Sequence, residues 1–295
     1  MVEKSFERIS DPKKERSSNL ELYRIIVMLA IVAHHYVVNS GLMLYMDADP
    51  MNPKSIFLFI VGMWGKTGIN CFVLITGYYM CKSEITLRKF LKLLLEIEFY
   101  NISIHFFFVA FGYIDFSTIE FLWLLFPIHD ISTGFVECYI VFFLFIPFLG
   151  VLVRTLQKRQ HRLLIALCLS VYTFLNFIPS LTVEMNYVTW FCILFFIGSY
   201  LRFYPLHDGD KRYWARLLVI SLFMAVGSVI ILLWLIQYGS RLGAYAFVSD
   251  CNAPLAVIVS ICAFMYFKSL KIKQRKFINI VGGGHFCNPS YSCKQ

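Results

Sequence analysis

The chain has 295 residues, 59% of them hydrophobic and 15% charged, with 27 Lys and Arg against 18 Asp and Glu and a net charge of +9. Soluble domains carry about 25% charged residues, so this composition, with a mean hydropathy of +0.67, excludes an ordinary soluble domain. Apolar runs near 20 residues recur throughout, the length a helix needs to cross a bilayer, and basic loops account for the positive charge without a nucleic-acid partner.

The expected fold is therefore all-α, a polytopic transmembrane helix bundle. Residues 1–18 are a polar, charged lead, and no small-residue cleavage site follows the first apolar run, so no cleavable signal peptide is expected. A first span runs from Tyr23 to Val38. A polar loop with Asp47, Asp49, Pro50 and Pro53 follows. The second apolar region, Ile56 to Met80, is interrupted by Trp64-Gly65-Lys66-Thr67-Gly68, and its irregular middle is expected to line a cavity, because unpaired backbone is not tolerated against lipid. The third span is Phe90 to Gly112. Phe121 to Pro127 is apolar but too short to cross and is expected to dip into the membrane. The remaining spans are Phe135 to Val153, Leu163 to Ile178, Tyr187 to Arg202, Ala215 to Ile236 and Ala253 to Phe267, eight in all.

The basic residues supply an independent check. Lys4, Arg8, Lys13, Lys14 and Arg16 precede span one; Lys82, Arg88, Lys89 and Lys92 follow span two. Arg154, Lys158, Arg159 and Arg162 follow span four, and Arg202, Lys211, Arg212 and Arg216 surround the loop after span six. Lys268, Lys271, Lys273, Arg275 and Lys276 follow span eight. The alternate loops hold Lys54, Lys66 and Arg241. This alternation predicts eight spans with a cytoplasmic N-terminus. The nine cysteines are scattered, several within apolar runs, and read as small core residues. Cys287 and Cys293 are too isolated to suggest zinc, and no metal site is expected.

Span one carries the chemistry-bearing groups. Glu21 and Arg24 lie at its start and His34 and His35 well inside the apolar run. Arg24 and His35 are eleven residues apart, so about 20° out of phase and about 16 Å apart along the axis. They share a face, with Glu21 one turn before Arg24. Ionisable groups in a membrane helix are costly unless they face a polar interior, which makes them functional candidates. An imidazole, with an ordinary pKa of about 6.5, serves as a base near neutral pH. A guanidinium stays charged and presents a fork that suits phosphate or carboxylate. The plainer alternative is an interfacial Glu21–Arg24 pair with His34 and His35 hydrogen-bonded inside the bundle. Asn70, Thr76, Tyr78 and Tyr139 are candidates for lining a site, against the alternative of ordinary helix–helix hydrogen bonding.

These residues resemble the membrane-bound acyltransferase 3 family, over roughly residues 18–285. Glu21, two further residues, Arg24, ten residues and His35 match its first-span pattern, and His35 rather than His34 has the family spacing. Gly68-Ile69-Asn70-Cys71-Phe72-Val73-Leu74-Ile75-Thr76-Gly77-Tyr78 is similar to its glycine, apolar, Phe, Ser-Gly-aromatic run, with Thr76 keeping the hydroxyl of the usual Ser. Tyr139 to Pro147-Phe148-Leu149 and Ile197-Gly198-Ser199-Tyr200-Leu201-Arg202 resemble two further stretches; the acidic pair of many relatives near Tyr139 is missing, since Glu137 is out of register. The resemblance implies a membrane O-acyltransferase that moves an acyl group, expected to be acetyl, from acyl-CoA to a hydroxyl of a bacterial cell-envelope polysaccharide or a lipid-linked sugar precursor. It implies His35 and Arg24 as catalytic, Glu21 and Arg24 as donor-binding or orienting, and His34 as packing or second-layer. Acetyl-CoA would be a co-substrate, with no resident cofactor, in the cytoplasmic membrane. A glycan or acyl transporter or flippase and an inactive, truncated remnant are the competing readings.

Family members have about ten spans. The expected organisation here is a lead (1–18), a transmembrane acyltransferase domain (19–281) and an aberrant tail (282–295). Gly282 to Gln295 lacks the apolar periodicity of a further span. A freely chosen codon set for it, read one base later, spells Ala-Ala-Ala-Thr-Phe-Ala-Ile-Leu-Leu-Ile-His-Ala-Asn, which leads us to expect a frameshift near Gly282.

Overall fold

The computed structural model describes residues 17–126, 134–175, 183–207, 209–240, 242–248 and 250–281, and among these it is all helix and loop, with no strand. The charged lead to residue 16 and the tail from 282 lie outside the described residues.

The first span is α1, Ser18–Asn39, longer at both ends than its apolar run because Ser17 and Ser40 flank it in non-helical backbone. The loop after it is partly helical: Leu42–Ala48 forms α2, nucleated by a short apolar stretch whose Met46 is fully buried. The second apolar region is two helices, α3 (Pro53–Gly62) and α4 (Gly65–Met80). Pro53 opens α3, and the Asn52 side chain accepts the Lys54 N–H at 3.0 Å. The break is narrower than the sequence suggests. Only Met63 and Trp64 leave the helix, and Gly65 to Gly68 are helical because packing against α1 suits residues without bulk.

The third span is α5, Leu87–Ala110, capped by Thr86. In the following loop a short helix, α6, covers Thr118–Leu124 with Trp123 and Phe126 exposed; Pro127 lies outside the described residues. The fourth span is α7, Phe135–Thr155, with Pro147 inside it. The fifth is α8, Lys158–Leu169, continued by a π-helical turn at Ser170–Phe174; its expected end, Ile178, lies outside the described residues. Spans six to eight are α9 (Tyr187–Phe203), α10 (Lys211–Gln237) and α11 (Pro254–Ser269), and a further short helix, α12, is Lys276–Val281.

Among the described residues, five segments are long and apolar enough to cross a membrane: α1, the broken pair α3–α4, α5, α7 and α10. Helices α9 and α11 are apolar but only 17 and 16 residues long, about 25 Å each at 1.5 Å per residue. They sit at the centre, packed on α4, so neighbours cover them where lipid would not. Around this core stand α1, α7 and α10, while α5 makes its main contacts with α7 and α6 alone and buries only Leu93 and Ile97. The chain is thus a multi-pass membrane helix bundle.

Two glycines set the central crossing. A Cβ on Gly198 of α9 would stand 2.8 Å from both the Leu74 carbonyl and the Tyr78 amide of α4. A Cβ on Gly77 would stand 2.8 Å from the Phe195 Cα. The two backbones therefore touch, the close approach that small residues permit between membrane helices. This brings the Thr76-Gly77-Tyr78 stretch against the Ile197-Gly198 stretch.

Candidate functional site

Glu21 and Arg24 lie near the start of α1, the end of the bundle where the basic residues gather. The Arg24 Nη1 donates to Glu21 Oε1 at 3.0 Å and to Oε2 at 3.2 Å, an (i, i+3) pair with Glu21 buried and Arg24 half-buried. The start of α1 is anchored by Asn19, whose Nδ2 donates to the Phe267, Lys268 and Leu270 carbonyls at 2.9, 3.2 and 3.1 Å. These carbonyls lie at the C-terminal end of α11, where the Phe267 carbonyl also accepts the Leu270 N–H. Tyr23 stacks on Phe267, centroids 4.9 Å apart. The side chains of α1 at this end are thus fixed against α11.

The two histidines have different surroundings. His34 is half-buried, its Nδ1 hydrogen-bonded to the Gly62 carbonyl at the α3–α4 break. A carbonyl only accepts, so Nδ1 carries a proton. The ring lies on Gly65, where any Cβ would collide with it. His35 is exposed on α1, edge-on to His34 with centroids 5.4 Å apart, and its Nδ1 lies 3.5 Å from Asn39 Nδ2. Arg24 and His35 occupy opposite halves of α1.

Residues of α4 and α7 are brought together. Thr76 and Tyr139 hydroxyls lie 3.1 Å apart, and Thr76 also donates to the Phe72 carbonyl at 3.2 Å. Asn70, fully buried, donates to the Cys251 carbonyl at 2.6 Å and accepts from the Trp190 indole at 2.9 Å. These three residues tie α4 to α7, α9 and the loop before α11. Burial pushes the Cys251 thiol up to about 12, which leaves it protonated and unreactive. Tyr78 is 5% exposed and accepts a 2.9 Å hydrogen bond from Arg202 Nη1.

Several residues here carried no role in the sequence reading. The Arg202 guanidinium lies 4.8 Å from the centre of the Tyr78 ring and the Lys268 ammonium 5.2 Å from it. Lys66 donates to the Tyr187 hydroxyl at 2.8 Å and lies 3.8 Å from Asp250. His161 is fully buried, its Nε2 2.9 Å from the Phe196 carbonyl, between the edges of Tyr200 and Tyr204. The signal for Arg202 was its place at the end of the Ile197-to-Arg202 motif. Lys66 and His161 offered none, being single polar residues in mixed surroundings. Among the described residues no group of three or more His, Cys, Asp or Glu is placed to hold a metal ion.

The fold is a multi-pass membrane helix bundle with an Arg–Glu pair at one end of its first helix and adjacent histidines in the other half. A family model described as an acyltransferase domain, that of the acyltransferase 3 family, matches residues 17–283. The chain belongs to that family and is a membrane acyltransferase. Membership decides the reaction class as acyl transfer rather than transport. No curated protein and no solved structure matches the chain.

Proposed function

We propose that the protein moves an acyl group, acetyl being the simplest, from an acyl-CoA on the basic side of the membrane to a hydroxyl of a cell-envelope polysaccharide or a lipid-linked sugar. The observation that carries this is the layout of α1: Arg24, pinned by Glu21, at the basic end, and His35, exposed and tethered to Asn39, in the opposite half. With the basic end cytoplasmic, as charge bias supports, the CoA enters beside Arg24 and the acceptor approaches beside His35.

His35 takes the proton of the acceptor hydroxyl. The oxygen attacks the thioester carbonyl carbon, the new C–O bond forms, the C–S bond breaks, and the thiolate leaves and takes up a proton. Arg24, always charged, serves the donor's anionic groups. His34, with Nδ1 held by Gly62, orients its neighbour rather than reacting.

The test is the ester-linked acyl content of surface polysaccharide in cells expressing the chain or its variants. His35→Ala is expected to abolish the esters, and Arg24→Lys to lower them by at least tenfold through loss of the fork. Ester content unchanged by His35→Ala, at equal protein level, refutes the assignment of the base.

A further inference from the structure

The end of the bundle away from the basic residues holds a cavity that the proposed chemistry leaves unassigned. Its volume is about 590 Å³, within the range of about 300–1,000 Å³ that ligand sites occupy. Asp47 of α2, Phe59 of α3, Leu233 and Ile236 of α10, and Gly243 and Tyr245 of the loop before α11 stand in its walls.

Those walls are fixed by the fold. Phe59 and Leu233 are buried in one apolar cluster with Val37, which lies two residues beyond His35 on α1. The Tyr245 hydroxyl donates to the Phe59 carbonyl at 3.0 Å, and the two rings meet edge to face with centroids 5.5 Å apart. In the loop, the Ala246 N–H donates to the Gly243 carbonyl at 3.1 Å and the Val248 N–H to the Tyr245 carbonyl at 2.9 Å. Farther along, the Lys66–Asp250 and Asn70–Cys251 contacts pin the same loop to α4. Gly62 joins the cavity to the histidines. Its carbonyl holds His34, and a Cβ on it would stand 3.0 Å from the Tyr245 hydroxyl.

The polar groups in the cavity select the ligand. Asp47 is exposed and, among the described residues, forms no ion pair. Its charge reaches Tyr245: burial first, and then the Asp47 carboxylate, push that hydroxyl above its ordinary range, so it stays protonated. None of the described lining residues is a cation. A carboxylate repels other anions, so a phosphate headgroup or a coenzyme is a poor occupant. Uncharged hydroxyls suit it, because they donate charge-assisted hydrogen bonds to the carboxylate. The C–H faces of a sugar ring match the rest of the lining, which is apolar and aromatic around a few placed polar groups.

We infer that this cavity binds an uncharged sugar unit, with its hydroxyls on Asp47 and its ring against Tyr245 and the apolar wall. That the bound sugar is the acyl acceptor rests on the proposed function; the sugar site itself does not.

The test titrates the full chain, in phosphatidylcholine nanodiscs, with de-acylated oligosaccharides released from the envelope polysaccharide of the cells used for the ester assay. Saturation-transfer NMR reads the binding. Asp47→Asn, at an exposed position that folding tolerates, is expected to weaken it about tenfold, the worth of one charge-assisted hydrogen bond. At Gly243 a Cβ meets nothing within 4 Å and the backbone is not left-handed. Gly243→Ala should therefore bind like wild type, whereas Gly243→Leu fills the cavity and should weaken binding at least tenfold. Binding to wild type that neither Asp47→Asn nor Gly243→Leu weakens overturns the inference. So does a wild type that binds no oligosaccharide; phosphatidylcholine retained by that wild type in native mass spectrometry, and lost from Asp47→Asn, would then give the cavity to a cationic headgroup. The ester assay is separate. Wild type that binds the oligosaccharides yet makes no ester refutes the proposed reaction and leaves the sugar site standing, whereas esters formed with undiminished binding in both variants refute the sugar site alone.

Discussion

Replacing Gly198 by Ala probes the crossing that everything at the basic end depends on. The added Cβ would sit 2.8 Å from the Leu74 carbonyl oxygen and the Tyr78 amide nitrogen, and 3.1 Å from the Gly77 carbonyl carbon. All three are backbone atoms and cannot rotate away. Ordinary contact begins at 3.4 Å, so α4 and α9 must part by roughly 0.6 Å, an overpacking worth about 1–3 kcal/mol. At about 2 kcal/mol the thermal midpoint falls by roughly 4–8 °C. Parting the helices also stretches the 2.9 Å Arg202–Tyr78 hydrogen bond. The control is Gly227→Ala in α10, where a Cβ meets nothing within 4 Å. There the helix gains about 0.5–1 kcal/mol from lost glycine freedom. Thermal unfolding of both variants in one detergent should therefore give shifts of opposite sign. A Gly198→Ala midpoint at or above wild type would refute the close-contact argument.

Two further substitutions test the buried ties. Thr76→Val and Tyr139→Phe each remove the same 3.1 Å hydroxyl pair, so their destabilisations, about 1 kcal/mol each, should be strongly non-additive in a double-mutant cycle; additive losses would mean that the hydroxyls do not serve each other. Asn70→Ala leaves the Trp190 indole and the Cys251 carbonyl without their partner in a fully buried setting. The expected cost is about 2–5 kcal/mol, read as a sharp fall in folded protein by fluorescence-detected size exclusion.

Hydropathy and charge alternation made the spans readable, because period and length are local properties. The helix break near Trp64 was visible as an interruption, but its extent was not. Whether Gly65 and Gly68 end a helix or let another pack closely depends on His34 and Ile31, some 30 residues earlier. The helix at Leu42–Ala48 was missed because two Asp and two Pro close by read as loop. Glu21 and Arg24 could be paired from spacing alone, being one turn apart on one helix. The pairs Thr76–Tyr139 and Tyr78–Arg202 join residues 63 and 124 apart, and no single-sequence pattern encodes such partners. His161 escaped notice because a lone histidine among Gln, Arg and Lys looks solvated, whereas its helix turns it onto α9. Between His34 and His35, family spacing favoured the second. The structure adds that the first is held by the break and the second is open, a distinction set by which residues α1 meets.

The loose seating of α5 has a consequence for how the protein must be handled. Leu93 and Ile97 are its only buried side chains among the described residues, and its wide apolar surface faces outward. Within a bilayer this is enough, since a membrane helix satisfies its own backbone and is confined to two dimensions whether or not it is packed. Detergent removes that confinement and leaves α5 held by little more than its grip on α7 and its loops. Extraction conditions rather than sequence changes would then decide whether the solubilised protein keeps its third span in place, and lipid retained around α5 acts as a structural component of the fold.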